Sequence, residues 1–99
     1  MVNRKIIIDN EAKIALREVY NYIKKDSPQN AEKVKTEILE SIKELLKNPE
    51  KYSPDKFRLD KNISYRAFEI YKYRITYHVS TDEIRIIRIR HTRMNPLEY

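Results

Sequence analysis

Glycine and cysteine are both missing from this 99-residue chain, and histidine occurs only twice. Without glycine there is no glycine-rich phosphate loop and no dinucleotide fingerprint, because those turns need residues lacking a Cβ where the backbone closes on a phosphate. Without cysteine there is no disulfide framework and no thiolate metal site, and His78 and His91 alone fall short of any zinc-binding pattern. An oxidising compartment is not implied, and neither a metal nor a small-molecule cofactor is expected. Long apolar runs are missing too. Ile6-Ile7-Ile8 is the only apolar run near the N-terminus, far short of a signal-peptide core, and no stretch approaches the ~20 apolar residues of a membrane span. The expectation is a cytoplasmic protein with no membrane contact. Internal repeats, low-complexity tracts, metal-binding helix motifs and a serine–histidine–acid pattern in context are absent as well.

A chain of this length makes one domain, residues 1–99, with room for about one sheet packed on one or two helices. What it has in excess is positive charge, +6 in all, which favours polyanionic partners through counterion release. The excess is unevenly distributed. Residues 9–50 carry 8 basic and 9 acidic groups, a net of −1, whereas residues 63–99 carry 7 and 4, a net of +3. Of the 9 arginines, 7 lie after position 57, against 2 of the 12 lysines. Arginine presents a planar fork suited to phosphate, while lysine is mostly a solvated point charge.

In chain order, Val2 to Ile8 reads as a short strand, followed by a helix cap at Asp9-Asn10. Ala12, Ala15, Leu16, Val19 and Ile23 recur at helical spacing and predict an amphipathic helix to about Lys25. Asp26-Ser27-Pro28 restarts the chain, with Ser27 able to accept an amide hydrogen bond and Pro28 suited to the first helical position. Ala31, Val34, Ile38, Ile42 and Leu45 form the apolar stripe of a second helix, widened by Leu39 and Leu46 and stopped by Asn48-Pro49. The short link makes the two helices an antiparallel hairpin. Residues 49–62 read as a loop, solvated or in contact with a nucleic acid.

Three strand signals follow, over 63–70, 73–79 and 84–90. The first two join through a tight turn at Tyr71-Lys72 made without glycine. Tyr73, Ile75, Tyr77 and Val79 define one face of the second strand, and Arg74, Thr76 and His78 the other. In the last strand the alternation breaks: Ile84 and Ile86 share one face, Ile87 and Ile89 the opposite one. Either the strand is buried on both faces, or a bulge at Ile86-Ile87 shifts the phase, putting all four isoleucines inward and Arg85, Arg88 and Arg90 together outside. The fold class expected is α+β: an N-terminal strand, then an antiparallel helical hairpin packed on a twisted, mainly antiparallel sheet with a three-strand C-terminal meander. Whether the first strand pairs at an edge or inserts centrally is left open by the pattern.

The residues with chemistry to offer are Arg66, Arg74, His91, Arg93 and Tyr99. RNA cleavage by the ribose 2′-hydroxyl needs a base, an acid and cations to stabilise the charge of the transition state, and these side chains supply all three. His91 suits proton transfer near neutrality, Arg74 and Arg93 suit the phosphate grip, and Tyr99 suits base stacking or proton transfer. Arg66, Arg88 and Arg90 are the candidate phosphate-binding residues. Against this stand ordinary roles: a hydrogen-bonded strand-end histidine, cross-strand pairing of Arg66 and Arg74 with Glu69, a frayed terminus at Tyr99, and Arg85, Arg88 and Arg90 serving solubility or partner contact.

Nearly the whole chain resembles toxins of the RelE/ParE superfamily from bacterial type II toxin–antitoxin modules, to which the plasmid-stabilisation toxins also belong. The matching residues are Tyr22-Ile23 through Ser27-Pro28-Gln29-Asn30-Ala31, Leu45 to Pro49, Tyr65-Arg66, Tyr73-Arg74-Ile75-Thr76-Tyr77, and Ile84 to His91 with Arg93 and Pro96. The resemblance implies a helical hairpin against a twisted sheet, and one of two activities. RelE-like members arrest growth by cleaving mRNA in the ribosomal A site without a metal. By position Arg74, Arg93 and Tyr99 match their strand and tail residues, Arg66 matches a basic strand residue, and His91 resembles the catalytic histidine of some members. Phe68 stands where certain ribonuclease members carry a second basic group. ParE-like members inhibit DNA gyrase and do not cleave RNA, and the helical segment is more similar to theirs. The expected function is therefore a toxin acting as a ribosome-associated mRNA endoribonuclease, with a gyrase inhibitor as first alternative and a non-catalytic basic nucleic-acid-binding module as second. Both toxin branches imply a cognate antitoxin. Its docking surface is expected at an apolar groove beside the helices and sheet edge, with acidic side chains meeting the arginines.

Overall fold

The computed structural model describes residues 4–49, 51–52 and 65–92. Its elements run β1 (Lys5–Ile8), α1 (Asn10–Lys24), α2 (Pro28–Glu44), β2 (Tyr65–Ile70), β3 (Tyr73–Val79) and β4 (Glu83–His91). The strands form one sheet in the order β1-β4-β3-β2. β1 lies at an edge, parallel to β4, and the other pairings are antiparallel. The helical hairpin, the meander and the α+β class are as the sequence implies; of the strand expected over 63–70, residues 63 and 64 fall outside the described set.

Both helices start as their caps dictate, though not in the same way. Ser27 accepts a hydrogen bond from the Asn30 amide at 3.2 Å, and Pro28 occupies the first turn, where no amide is needed. Asp9 stands at the N-cap of α1, yet its side chain makes no capping bond. Its carboxylate accepts instead from Arg85 Nη1 at 2.6 Å, so the residue that opens the helix also fastens the β1–α1 junction to β4. Ala31, Val34, Ile38, Ile42 and Leu45 of the second helical stripe are all buried, whereas Leu46 stays exposed. Val34, Ile38, Ile42 and Leu45 meet Phe68, Ile75, Tyr77, Ile84, Ile86 and Ile89 from one face of the sheet to form a single core with Ala12. Each such fully buried aliphatic side chain contributes about 1.5–3 kcal/mol.

The broken alternation in β4 is a bulge. Thr76 pairs with Arg88 and Tyr77 with Ile86, so Ile87 has no partner on β3. Ile84, Ile86 and Ile89 are buried, but Ile87, as the inserted residue, is only half-buried. Three isoleucines thus point inward and not four. A strand without the bulge would carry Arg88 and Arg90 into the core, where an unpaired charge costs several kcal/mol.

The glycine-free hairpin turn has a conformational cost. Tyr71 and Lys72 have φ of 52° and 66°, the left-handed values that two-residue hairpin loops need and that cost a residue with a Cβ about 1–2 kcal/mol. Two contacts hold the turn. The Tyr71 hydroxyl donates to Glu37 on α2, and the Thr92 amide donates to the Lys72 carbonyl at 2.8 Å.

Candidate functional site

Strand pairing arranges the sheet face turned away from the helices as a three-by-three grid. Tyr65, His78 and Arg85 form one row, Ala67, Thr76 and Arg88 the next, and Glu69, Arg74 and Arg90 the third. Side chains alternate across a strand, so these nine lie opposite Phe68, Ile75, Tyr77, Ile86 and Ile89. The face is not a flat wet surface. Thr76 is 1% exposed and Arg74 9%.

The four guanidiniums of this face are neutralised unequally. Arg85 is held twice, by Asp9 at 2.6 Å and by Glu83 at 2.7 Å; the hydrogen bonds to Asp9 and then Glu83 raise its pKa further above the usual arginine range. It is a fastener between β4 and the β1–α1 junction. Arg74 bonds Glu69 at 3.1 Å. Arg88 has Glu11 only at 3.9 Å, and its Nε is buried without a hydrogen-bond partner among the described residues. Arg74 and Arg90 stand directly opposite each other, with Glu69 in the same row. Rows two and three therefore bring together the guanidiniums of Arg74, Arg88 and Arg90, with Glu69 paired to Arg74 and Glu11 near Arg88 among the described residues.

Two expected site residues lie elsewhere. Arg66 shares the helix-packed face with Phe68, opposite Tyr77. Its Nη1 donates to the Tyr52 carbonyl at 2.7 Å, while Tyr52 stacks on Phe68 with ring centroids 4.6 Å apart and the Tyr77 hydroxyl donates to the Pro49 carbonyl at 2.9 Å. Arg66 thus pins the segment after α2 onto the sheet and does not join Arg88 and Arg90; nor does it pair with Glu69, as Arg74 does. His91 pairs with Tyr73 on the helix-packed side, its ring edge-on to the tyrosine at 5.3 Å. Burial first, and the neighbouring Tyr22 second, push the Tyr73 hydroxyl pKa upward. Arg93 and Tyr99 lie outside the described residues. The grid brings together Arg74, Arg88 and Arg90, and adds two residues that sequence reasoning passed over, His78 and Tyr65. Their rings are 5.7 Å apart and tilted by 53°. Alternation had already put His78 on the face of Arg74; what it lacked was the pairing that adds Arg88 and Tyr65.

On the helix side, a cavity of about 230 Å³ has Ile8, Leu16 and Tyr20 as its apolar lining and Lys13, Arg17 and Lys35 as its rim. Lys35 and Lys24 stand over the Tyr20 ring at 5.3 and 5.8 Å. The Tyr20 hydroxyl donates to Glu32 at 2.8 Å, and that bond to a carboxylate is the first cause of its raised pKa. Ile14 and Tyr22 are 51% and 69% exposed on α1. Among the described residues no helix is long and apolar enough to cross a membrane, and no group of three or more histidine, cysteine or acidic side chains could hold a metal ion.

The family described as "ParE toxin of type II toxin-antitoxin system, parDE" matches residues 6–96, so the chain belongs to the ParE toxin family of type II toxin–antitoxin systems. Among solved structures it is similar to a chain of the chromosomal ParDE toxin–antitoxin system from P. aeruginosa, with a TM-score of 0.69 and 20% identity over 89% of this chain and 95% of that one. It is similar too to the YoeB dimer from Staphylococcus aureus, with a TM-score of 0.56 and 20% identity over 91% of this chain and 98% of the other. A comparison with curated protein sequences finds no match.

Proposed function

We propose that this toxin acts on RNA through the arginine face of its sheet, cleaving ribosome-associated mRNA and so arresting growth. The observation that carries the reading is the β4 bulge, which turns Arg88 and Arg90 to the side of Arg74. Bulges recur beside active sites because they re-aim side chains, and this one keeps three guanidiniums on adjacent rows of one face. Such a cluster grips a phosphate and stabilises the extra negative charge that develops on it in the transition state. Arg93 and Tyr99 keep, as part of this proposal, the tail roles that the superfamily resemblance gives them.

A second reading, inhibition of DNA gyrase without RNA cleavage, is favoured by the distance of Arg66 and His91 from that face and by the match to the ParE family. Inducible expression with primer-extension mapping of transcripts, run beside a supercoiling assay on the purified toxin, separates the two. Codon-phased cuts with supercoiling intact support cleavage. Growth arrest without cuts overturns it, and lost supercoiling in that case supports the second reading.

Under either reading the toxin is neutralised by a cognate antitoxin, whose docking we assign to the lysine- and arginine-rimmed cavity between β1 and the helices. An acidic amphipathic segment matches it in charge and leaves Ile8, Leu16 and Tyr20 covered.

A further inference from the structure

Cleavage through the 2′-hydroxyl needs a proton acceptor on the same side of the sheet as the phosphate. His91, the histidine that the tail pattern suggests, fails that condition: it lies in the register of Tyr73, on the helix-packed side, with its ring edge against that tyrosine. His78 meets it. It shares β3 with Arg74 and Thr76, four and two residues away, and its register partner on β4 is Arg85, the neighbour before Arg88 on that face. Diagonal neighbours on one face of an antiparallel pair are about 7–8 Å apart, within which a phosphate gripped by Arg88 and Arg74 keeps its adjoining ribose close to the imidazole.

The surroundings of His78 suit the role as well. From β2 it faces Tyr65, whose ring tilts toward it at 5.7 Å. From β4 it faces Arg85, whose charge is already taken by Asp9 and Glu83, so the cation nearest the imidazole is the one least able to compete for the phosphate. Along β3 it has the uncharged Thr76. The imidazole is half-buried, neither sealed in the core nor lost to bulk solvent. Tyr65 adds a flat, half-buried ring at the edge strand, the kind of surface on which an unpaired base stacks.

We infer that His78 is the general base of this toxin and Tyr65 the platform for the base beside the cleaved bond, the two forming with Arg74, Arg88 and Arg90 one RNA-cleaving face. In the step, the imidazole takes the proton of the ribose 2′-hydroxyl, O2′ forms a bond to the neighbouring phosphorus, and the P–O5′ bond breaks with its electron pair leaving on O5′. A proton from water reaches O5′, and the imidazolium returns its own to solvent. The products are a 2′,3′-cyclic phosphate and a 5′-hydroxyl end, with no net oxidation and no co-reactant. The inference rests on the cleavage reading, and the test keeps the two apart.

The purified full-length toxin is assayed on ribosomes programmed with a defined mRNA, and the ends of the products are identified chemically. His78→Gln is expected to lower kcat by about 100-fold or more, with KM within about twofold, and to change the shape of the pH–rate profile. Tyr65→Leu is expected to raise KM about tenfold while Tyr65→Phe leaves it near wild type, because the ring and not the hydroxyl makes the platform. Circular dichroism checks that each variant is folded. Cleavage that persists in His78→Gln with an unchanged pH profile, or a loss confined to His91→Gln, overturns the inference and leaves the cleavage reading standing. A wild-type toxin that cuts nothing while blocking gyrase overturns both.

Discussion

Along the row of the sheet that holds Phe68, Ile75 and Ile89, the helix-packed side presents two helices with a continuous apolar surface. One residue further along each strand, Glu69, Arg74 and Arg90 stand on the other side. Both faces come from the same strands, so the difference between them is a matter of phase. On the packed face, exclusion of water is the organising force, and even the charged Arg66 is turned to a structural use against Tyr52. On the far face, cations are held close together on adjacent rows, several of them in ion pairs. The lesson is that a residue's type says less about its task than the side of the sheet on which the pairing puts it. One unpaired residue, Ile87, sets that assignment for Arg88 and Arg90.

The comparison can be broken most severely by carrying a charge to the packed face: Ile86→Asp, at a fully buried position, is expected to abolish the cooperative urea transition, as circular dichroism would register. Next comes Arg74→Ala, expected to cut toxicity and RNA cleavage by about 100-fold with the fold retained; in growth-arrest and primer-extension assays, undiminished cutting would remove Arg74 from the site. Arg66→Ala should do the reverse, costing about 1–2 kcal/mol of stability in urea melts by releasing the Tyr52 carbonyl, because its work is on the packed face. Lys72→Gly should stabilise by about 0.5–1 kcal/mol, since it relieves one left-handed residue of the turn and spares the bond from Tyr71 to Glu37. The smallest effect concerns Tyr73. Its folded-state pKa is raised, so the unfolded chain loses this proton first, and the associated stability is present below about pH 10 and fades as pH climbs through the folded value. Thermal melts should therefore fall above that pH, and Tyr73→Phe should soften the fall.

Much of the fold was legible because period is a local property. The stripe from Ala31 to Leu45 and the alternation of Tyr73 to Val79 each belong to one element, and both appear as expected. The position of β1 beside β4 was not legible, because pairing between residues so far apart leaves no periodic trace in either strand. The same limit governed the site. Sequence alternation set Arg66 in phase with Phe68 and Ile70, and His91 in phase with Ile89, which were signals of the packed face; grouping by residue type alone united them with Arg74. In β4 two phases were equally consistent with the isoleucines, and only the partner strand selects the bulge.

The edge pairing of Lys5 with Glu83 and of Ile8 with Ile86 also bears on how the toxin comes into being on a ribosome. Strand β4 is the bridge of the sheet, flanked by β1 and β3, yet it is the last of the described strands to be synthesised. Until it emerges, β1 has no neighbour to pair with, and Arg74 has neither Arg88 nor Arg90 beside it. Pairings between distant parts of a chain form late and slowly. A nascent chain that has grown as far as β3 therefore carries the whole helical hairpin but no arginine cluster, and the arginine face is assembled only once β4 has been translated.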